Sequence, residues 1–138
     1  MKMIFQFNEK NKCKAKTVLI VENKKKEQCF KLLLSKKNFN LIAVSKKQEI
    51  FQAARKSNPD LIILNLTFSK KEGLDMCVKI KASKAIKNSP LLVITNDQDN
   101  SAVAEYYANG ADRCLKEPVS PKMLLEQIVG LLKSKRKF

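Results

Sequence analysis

The sequence predicts a doubly wound α/β fold, in which five helices flank a five-stranded parallel sheet. Two observations lead to this fold class: short apolar runs alternate with segments of helical periodicity, and the 138 residues contain only three glycines and four prolines to interrupt them. Parallel strands need crossover connections, which helices usually supply. With 44% apolar residues, a chain of this length is expected to form one domain with a sizeable core.

The five predicted strands are short runs rich in β-branched or aliphatic residues. The first, at residues 17–21, is flanked by polar residues and is typical of a strand buried on both faces. The third, at residues 61–64, follows the turn-forming Pro59 and Asp60 and gives the strongest signal. The remaining strands are predicted at residues 41–44, 91–94 and 113–116.

Apolar residues at helical spacing predict the intervening helices, at residues 24–37, 48–57, about 74–81, about 101–108 and 121–132. Ser120 and Pro121 suit the N-cap and the first position of the last helix. Asp97 and Asp99 are interpreted as caps of the fourth helix. The inner face of the last helix is predicted to consist of Leu124, Ile128, Leu131 and Leu132.

The composition excludes several classes of function. The chain has no histidine, which removes imidazole bases, histidine-containing catalytic triads and histidine zinc sites. Its four cysteines, at positions 13, 29, 77 and 114, are too scattered for a metal cluster or a disulfide framework, and we interpret them as reduced thiols that lie mostly in the core. No apolar run approaches a membrane span and no secretory signal is evident, so a cytoplasmic location is expected.

Polar residues follow the predicted strands at their carboxyl ends. In open parallel sheets these ends converge on the functional crevice. This rule selects Glu22 and Asn23 after the first strand, Asn65 after the third, Thr95 after the fourth and Glu117 after the fifth.

Over residues 17–132 the sequence resembles the receiver domain of bacterial two-component response regulators. The first strand with its polar pair, the 59–65 segment, the 66–74 segment with Gly73, the 90–95 strand and the spacing from Gly110-Ala111-Asp112 to Pro118 occur in the family's order. The resemblance implies a CheY-like, flavodoxin-like fold.

Receivers of this family accept a phosphoryl group from phosphohistidine on an aspartate, with a magnesium ion held by two further acids and a lysine that pairs with the phosphoryl oxygens. By this resemblance the acceptor position is Asn65, the acidic pair is Glu22 and Asn23, and the lysine position is Glu117. Thr95 keeps the switch hydroxyl, and Cys114 occupies the aromatic switch position. We therefore expect a pseudo-receiver that is not an enzyme, has no cofactor and binds magnesium weakly or not at all.

Simpler roles are open for the same residues. Glu22 and Glu117 could form a small cation site, but the favoured role for Glu22 is to accept hydrogen bonds from nearby backbone amides or from Lys116. Asn65 and Thr95 could merely satisfy strand-end groups. Cys114 is interpreted as a small buried hydrophobe rather than a redox sensor. For Tyr106 and Tyr107, docking and inward packing are equally favoured.

The net charge of +15 is concentrated at the two ends of the chain. Residues 1–56 carry +11 and residues 122–138 carry +4, whereas residues 57–121 are neutral. If the first and last helices share a face, these charges form a partner face. The predicted partner face consists of Lys24, Lys25, Lys26, Lys31, Lys133, Lys135 and Arg136.

The leading hypothesis is a phosphorylation-independent interaction module of two-component signalling, with a kinase, phosphotransfer or output domain as its partner. The alternative is a basic nucleic-acid-associated regulator; lysine outnumbers arginine 25 to 3, which favours nonspecific binding over base reading. We expect a basic N-terminal extension at residues 1–16, a receiver-like domain at 17–138, a monomer or weak dimer, and no membrane contact. Residues 1–16 could form an extra strand or a loose arm.

Overall fold

A computed structural model describes residues 3–5, 16–23, 30–65, 69–84, 86 and 88–134. Its six strands are β1 (Met3–Phe5), β2 (Lys16–Glu22), β3 (Phe39–Val44), β4 (Leu61–Asn65), β5 (Leu91–Thr95) and β6 (Arg113–Lys116). Its five helices are α1 (Lys31–Ser35), α2 (Ile50–Ser57), α3 (Lys70–Ala82), α4 (Asn100–Ala108) and α5 (Pro121–Ser134). Among the helices described here, none is long and apolar enough to cross a bilayer.

The strands form one sheet in the order β1-β3-β2-β4-β5-β6. The five strands from β2 to β6 are parallel, which confirms the predicted fold class. The short β1 adds an antiparallel edge strand, with Met3 opposite Ala43 and Phe5 opposite Leu41. Of the two alternatives for residues 1–16, an extra strand is therefore what Met3–Phe5 forms, while the domain boundary at residue 17 stays a prediction.

The core lies in two layers, one on each face of the sheet. Alternate strand residues pack with α2, α3 and α4 on one face and with α1 and α5 on the other, because successive side chains of a strand point to opposite faces. The strand residues that face one layer are as deeply buried as those that face the other, so the parallel strands are apolar on both faces. The four residues predicted for the inner face of α5 are all buried, as expected: Leu124, Ile128, Leu131 and Leu132.

Helix α3 begins earlier than the sequence pattern suggested. The Ser69 hydroxyl accepts a hydrogen bond from the backbone N–H of Glu72, and the Glu72 carboxylate accepts one from the backbone N–H of Ser69. This capping box starts the helix at Lys70. Gly73 is therefore a buried helical residue, and the expectation from the family resemblance that residues 66–74 form a loop containing Gly73 was wrong for Lys70–Leu74. Helix α1 similarly ends at Ser35, two residues before the predicted end.

The predicted caps of α4 and α5 are confirmed. Asp99 is the N-cap of α4, where its carboxylate accepts a hydrogen bond from the backbone N–H of Ser101. Asp97 supports this cap by accepting from the N–H of Asp99. Ser120 accepts from the N–H of Met123 at the start of α5. Each cap satisfies a helix N–H that has no partner within the helix.

The segment from Gly110 to Asp112 fixes the amino-terminal end of β5. The Asp112 carboxylate accepts hydrogen bonds from the backbone N–H of Leu91 at 2.8 Å and from the Lys81 ammonium at 3.1 Å. Gly110 has a φ of +114°, and a Cβ atom there would lie 2.6 Å from Cγ of Lys81. Glycine is required at this position because both the backbone conformation and the lysine stem exclude a side chain.

Candidate functional site

The carboxyl ends of β2, β4, β5 and β6 bring the polar residues of the predicted site to one edge of the sheet. Glu22 lies opposite Asn65 in the register of β2 and β4, and Thr95 lies opposite Lys116 in the register of β5 and β6. Because successive side chains of a strand point to opposite faces, these two pairs lie on different faces of the sheet. Glu22 and Asn65 continue the rows that pack against α1 and α5, whereas Thr95 and Lys116 continue the rows that pack against α4.

The Glu22 carboxylate is the centre of the site on the α1 side. Its Oε2 atom accepts hydrogen bonds from Nδ2 of Asn65 at 2.6 Å and from the backbone N–H of Phe30 at 2.6 Å. Its Oε1 atom accepts from the backbone N–H of Lys31 at 3.1 Å. Glu22 thus joins the end of β2 to the end of β4 and to the first turn of α1. The preferred interpretation of Glu22, bonding to nearby amides, agrees with this geometry, although Lys116 is not among these donors.

Glu22 is only 4% exposed, and Asn65 is fully buried. Burial raises the pKa of Glu22 above its usual value because a carboxylate is poorly solvated there, and the hydrogen bonds from Phe30, Asn65 and Lys31 partly offset the increase. An uncompensated buried carboxylate would be costly, so these donors are needed to keep it in the core.

Thr95 lies on the opposite face of the sheet and connects β5 to α4. Its Oγ1 atom accepts a hydrogen bond from the backbone N–H of Asp97 at 3.1 Å, which agrees with the strand-end role considered for it. Its side chain is also hydrogen-bonded to Tyr106 of α4. Tyr106 is 1% exposed and Tyr107 is 43% exposed, so the first packs inward and the second is accessible.

Lys116 and Glu117, at the end of β6, make hydrogen bonds to different parts of the chain. The Lys116 ammonium donates to Oδ1 of Asn100 at the start of α4, at 2.7 Å. The backbone N–H of Glu117 donates to the carbonyl of Thr95, and the Glu117 carbonyl accepts from the Gln98 amide. The Glu117–Pro118 peptide bond is cis. As expected from strand alternation, Lys116 faces α4 rather than Glu22.

Cys114 is buried in the layer that contains Tyr106 and Cys77. Burial raises the pKa of the Cys114 thiol to about 11 and that of Cys77 to about 12, so both are protonated at neutral pH. A protonated thiol is a poor nucleophile. These properties agree with the interpretation of Cys114 as a small buried hydrophobe.

Comparison with known proteins identifies the family. Residues 18–129 match the model of the response regulator receiver domain. The chain belongs to the response regulator receiver family. One relative of this receiver is the transcriptional regulatory protein SrrA of Staphylococcus aureus, which is 24% identical over 117 residues that cover 84% of this chain and 47% of SrrA. The chain spans about half the length of the curated relatives it matches.

Solved receiver structures share the fold. The signal receiver domain of a signal transduction histidine kinase from Syntrophus aciditrophicus has a TM-score of 0.76 at 22% identity, covering 90% of this chain and 95% of that one. A response regulator from Thermotoga maritima has a TM-score of 0.75 at 23% identity, covering 87% and 99%. Receiver domains interact with kinases or output domains in two-component systems, so the comparisons do not favour the nucleic-acid alternative.

The magnesium ion implied by the receiver family does not fit this donor set. Magnesium requires several hard oxygen ligands in octahedral geometry. Here Asn65 directs an N–H donor at Glu22, and both oxygens of Glu22 already accept N–H donors. Among the described residues no three acids or cysteines gather around a common point.

Only part of the predicted partner face of this receiver can be located. Lys31 begins α1 and Lys133 lies near the end of α5, and both helices pack on the same face of the sheet. The two predicted helices therefore share a face, as the hypothesis required. The other members, Lys24, Lys25, Lys26, Lys135 and Arg136, lie outside the described residues.

Sequence reasoning missed two features of the receiver site. It did not select the backbone amides of Phe30 and Lys31 as the partners of Glu22, because backbone groups have no sequence signature. It also did not pair Tyr106 with Thr95. The signal there was weak, because α4 carries apolar residues on several sides.

Proposed function

We propose that this receiver is a pseudo-receiver, a phosphorylation-independent protein-interaction module of two-component signalling. The observation that carries the proposal is Asn65 at the end of β4, where its amide donates a hydrogen bond to Glu22. A carboxylate at that position could accept a phosphoryl group as an acyl phosphate. A neutral amide is a poor nucleophile and gives no stable acyl phosphate.

The electrostatics around Asn65 support the same proposal. Phosphoryl transfer depends mainly on positioning and on cations that neutralise the developing charge. Glu117 replaces the lysine that the family resemblance implies, and the Lys116 ammonium is held by Asn100 on the α4 side. An acid in place of a base would repel phosphoryl oxygens, so the site lacks both the nucleophile and its electrostatic support.

The interaction role is supported by the distribution of charge. The segments that carry the net positive charge include α1 and α5, which pack on one face of the sheet, whereas residues 57–121 are neutral. Such a face attracts an acidic protein surface and accelerates its association. Lys31 and Lys133 are the described members of this partner face.

The loss of transfer is tested by incubating the protein with magnesium and acetyl phosphate and measuring intact mass. Another receiver domain, one that has an acceptor aspartate, serves as the positive control. We expect a phosphoryl adduct on the control and none on this chain. An aspartyl-phosphate adduct on this chain would refute the pseudo-receiver proposal.

The partner face is tested by pull-down from native cytosol with the wild type and with a Lys31→Glu, Lys133→Glu variant. Lys84→Glu, an exposed lysine in the turn after α3, makes a charge reversal away from that face and serves as the control. We expect the double variant to lose the partner and Lys84→Glu to retain it. A third variant that reverses Lys24, Lys25 and Lys26 tests the remaining charges. Unchanged capture of the partner by both variants of the partner face would exclude this face as the docking surface.

A further inference from the structure

We infer that Asn65 takes the place of a divalent cation in this fold: it holds the buried Glu22 carboxylate, which in turn fixes the start of α1 without a metal ion. The inference rests on the proposed function only in taking the site to be free of phosphoryl transfer. Its own evidence is a chain of hydrogen bonds from β4 through β2 to α1.

Glu22 is shared among three donors that come from two separate segments. The Asn65 amide and the Phe30 N–H both reach Oε2, and the Lys31 N–H reaches Oε1. Phe30 is the N-cap residue of α1 and makes no side-chain cap of its own. Orphan N–H groups at a helix start require an acceptor, and a carboxylate there also interacts favourably with the helix dipole. Glu22 is therefore the cap of α1, supplied by the neighbouring strand.

The negative charge of a buried carboxylate that serves as a cap must itself be compensated. A cation could do this, but an N–H donor of a neutral amide can do it as well, and it is covalently part of the protein. Asn65 is fully buried and lies opposite Glu22 in the sheet register, so its amide reaches the carboxylate directly. An aspartate at residue 65 would instead set two carboxylates against each other, and a cation would then be needed to hold them together.

The consequence concerns α1 and, with it, the partner face. The position of α1 is fixed at all magnesium concentrations, because its cap is completed from inside the chain. Lys31 contributes both an amide to this cap and a side chain to the partner face. The geometry of that face is thus independent of metal.

The test is thermal unfolding of the full chain in magnesium chloride and in chelator. We expect the wild type to have the same midpoint in both. Asn65→Asp should unfold at a lower temperature in chelator and gain about 5 °C or more in magnesium, since a ligand that binds only the native state raises its stability. Asn88→Asp, at an exposed position in the turn before β5, makes the same chemical change away from the site and should show no magnesium response.

A second readout measures the cap directly. Glu22→Gln keeps the shape of the side chain but retains only one acceptor oxygen, so it cannot serve all three donors. We expect faster hydrogen exchange at the amides of Phe30 and Lys31, by about tenfold, while amides of β5 exchange as in the wild type. Unchanged exchange at both amides would refute the cap.

Two outcomes would refute the inference that Asn65 takes the place of a divalent cation. One is a wild type stabilised by magnesium, and the other is an Asn65→Asp variant that is as stable as the wild type in chelator. If Asn65→Asp does not fold, Asn65→Ala decides: it should unfold at a lower temperature than the wild type and be insensitive to magnesium, and wild-type stability would refute the inference. A phosphoryl adduct on the wild type would refute the proposed function but would leave these unfolding results unaffected.

Discussion

The hydroxyl group of Tyr106 in α4 is hydrogen-bonded to the side chain of Thr95 at the end of β5. Tyr106 is almost fully buried, in the layer that contains Cys77 and Cys114. A buried tyrosine stabilises the packing of its helix through the apolar surface that it buries, and its hydroxyl requires a hydrogen-bond partner. Thr95 is thus joined to α4 by an aromatic residue of that helix.

Substitutions at the two adjacent tyrosines should therefore differ. Tyr106→Phe removes the hydrogen bond to Thr95 and should cost about 1 kcal/mol in the free energy of unfolding. Tyr106→Ala also leaves a cavity and should cost about 3–5 kcal/mol. Tyr107→Ala, at an exposed position, should cost less than about 1 kcal/mol. Urea unfolding measures all three, and equal losses at the two positions would contradict the burial of Tyr106.

Gly110→Ala should destabilise the fold. The φ of +114° and the approach of Lys81 Cγ to 2.6 Å from an added Cβ both oppose a side chain, and we expect a loss of about 1–3 kcal/mol. Gly130→Ala is the matched control, because a Cβ there contacts nothing within 4 Å in the described residues and alanine favours the helix. It should raise stability by up to about 1 kcal/mol in the same urea titration. A Gly110→Ala variant as stable as Gly130→Ala would exclude the steric role of Lys81.

Stability should fall as the pH rises above 9. Burial raises the pKa of Cys77 from 9.0 to about 12, that of Cys114 to about 11, and that of Tyr106 from 10.0 to about 12. In this window the unfolded chain loses protons that the folded chain keeps, so the stability present below pH 9 is lost as these groups approach their folded pKa values.

We expect the free energy of unfolding to be about 1–3 kcal/mol lower at pH 10 than at pH 8. The measurement is urea unfolding at both values. A Cys77→Ala, Cys114→Ala variant is the control: it should be less stable at pH 8 because of its cavities, but it should lose less on the change to pH 10. The same pH dependence in both proteins would show that these thiols are not responsible.

Phosphoryl transfer should require several changes together. Asn23→Asp, Asn65→Asp and Glu117→Lys restore the acids, the acceptor and the lysine that the family resemblance implies. We expect the triple variant to acquire a phosphoryl group from acetyl phosphate in magnesium, as measured by intact mass. An Asn23→Asp, Asn65→Asp variant that keeps Glu117 should react about a hundredfold more slowly than the triple variant, since one missing electrostatic group typically costs about that factor. Equal rates would mean that Glu117 does not oppose the reaction.

Much of the fold could be predicted because its signals are local. The apolar runs of the five parallel strands and the Ser120-Pro121 helix start determine structure through burial and capping, which depend on residue type. The capping box of Ser69 and Glu72 was equally readable from the sequence, and neglecting it placed the start of α3 too late. The edge strand β1 has only three residues, too few for a periodicity to be recognised.

The site was predictable in position but less so in its contacts. Strand ends of a parallel sheet converge, so Glu22, Asn65 and Thr95 could be grouped from the sequence alone. Their partners follow from tertiary packing. The amides that Glu22 binds lie eight and nine residues further along the chain, and no side chain marks them. Tyr106 and Tyr107 are adjacent in a helix with apolar residues on several sides, so periodicity could not decide which one faces the core.

The Tyr107 hydroxyl contacts the backbone at the edge of the sheet. The backbone N–H of Glu117 donates to β5, and strand alternation therefore directs the N–H of Cys114 away from β5, where the Tyr107 hydroxyl accepts it at 3.1 Å. An edge N–H without an acceptor is a starting point for pairing with a strand of another molecule. The exposed tyrosine thereby covers this N–H of the β6 edge, which discourages sheet-to-sheet association between copies of the chain.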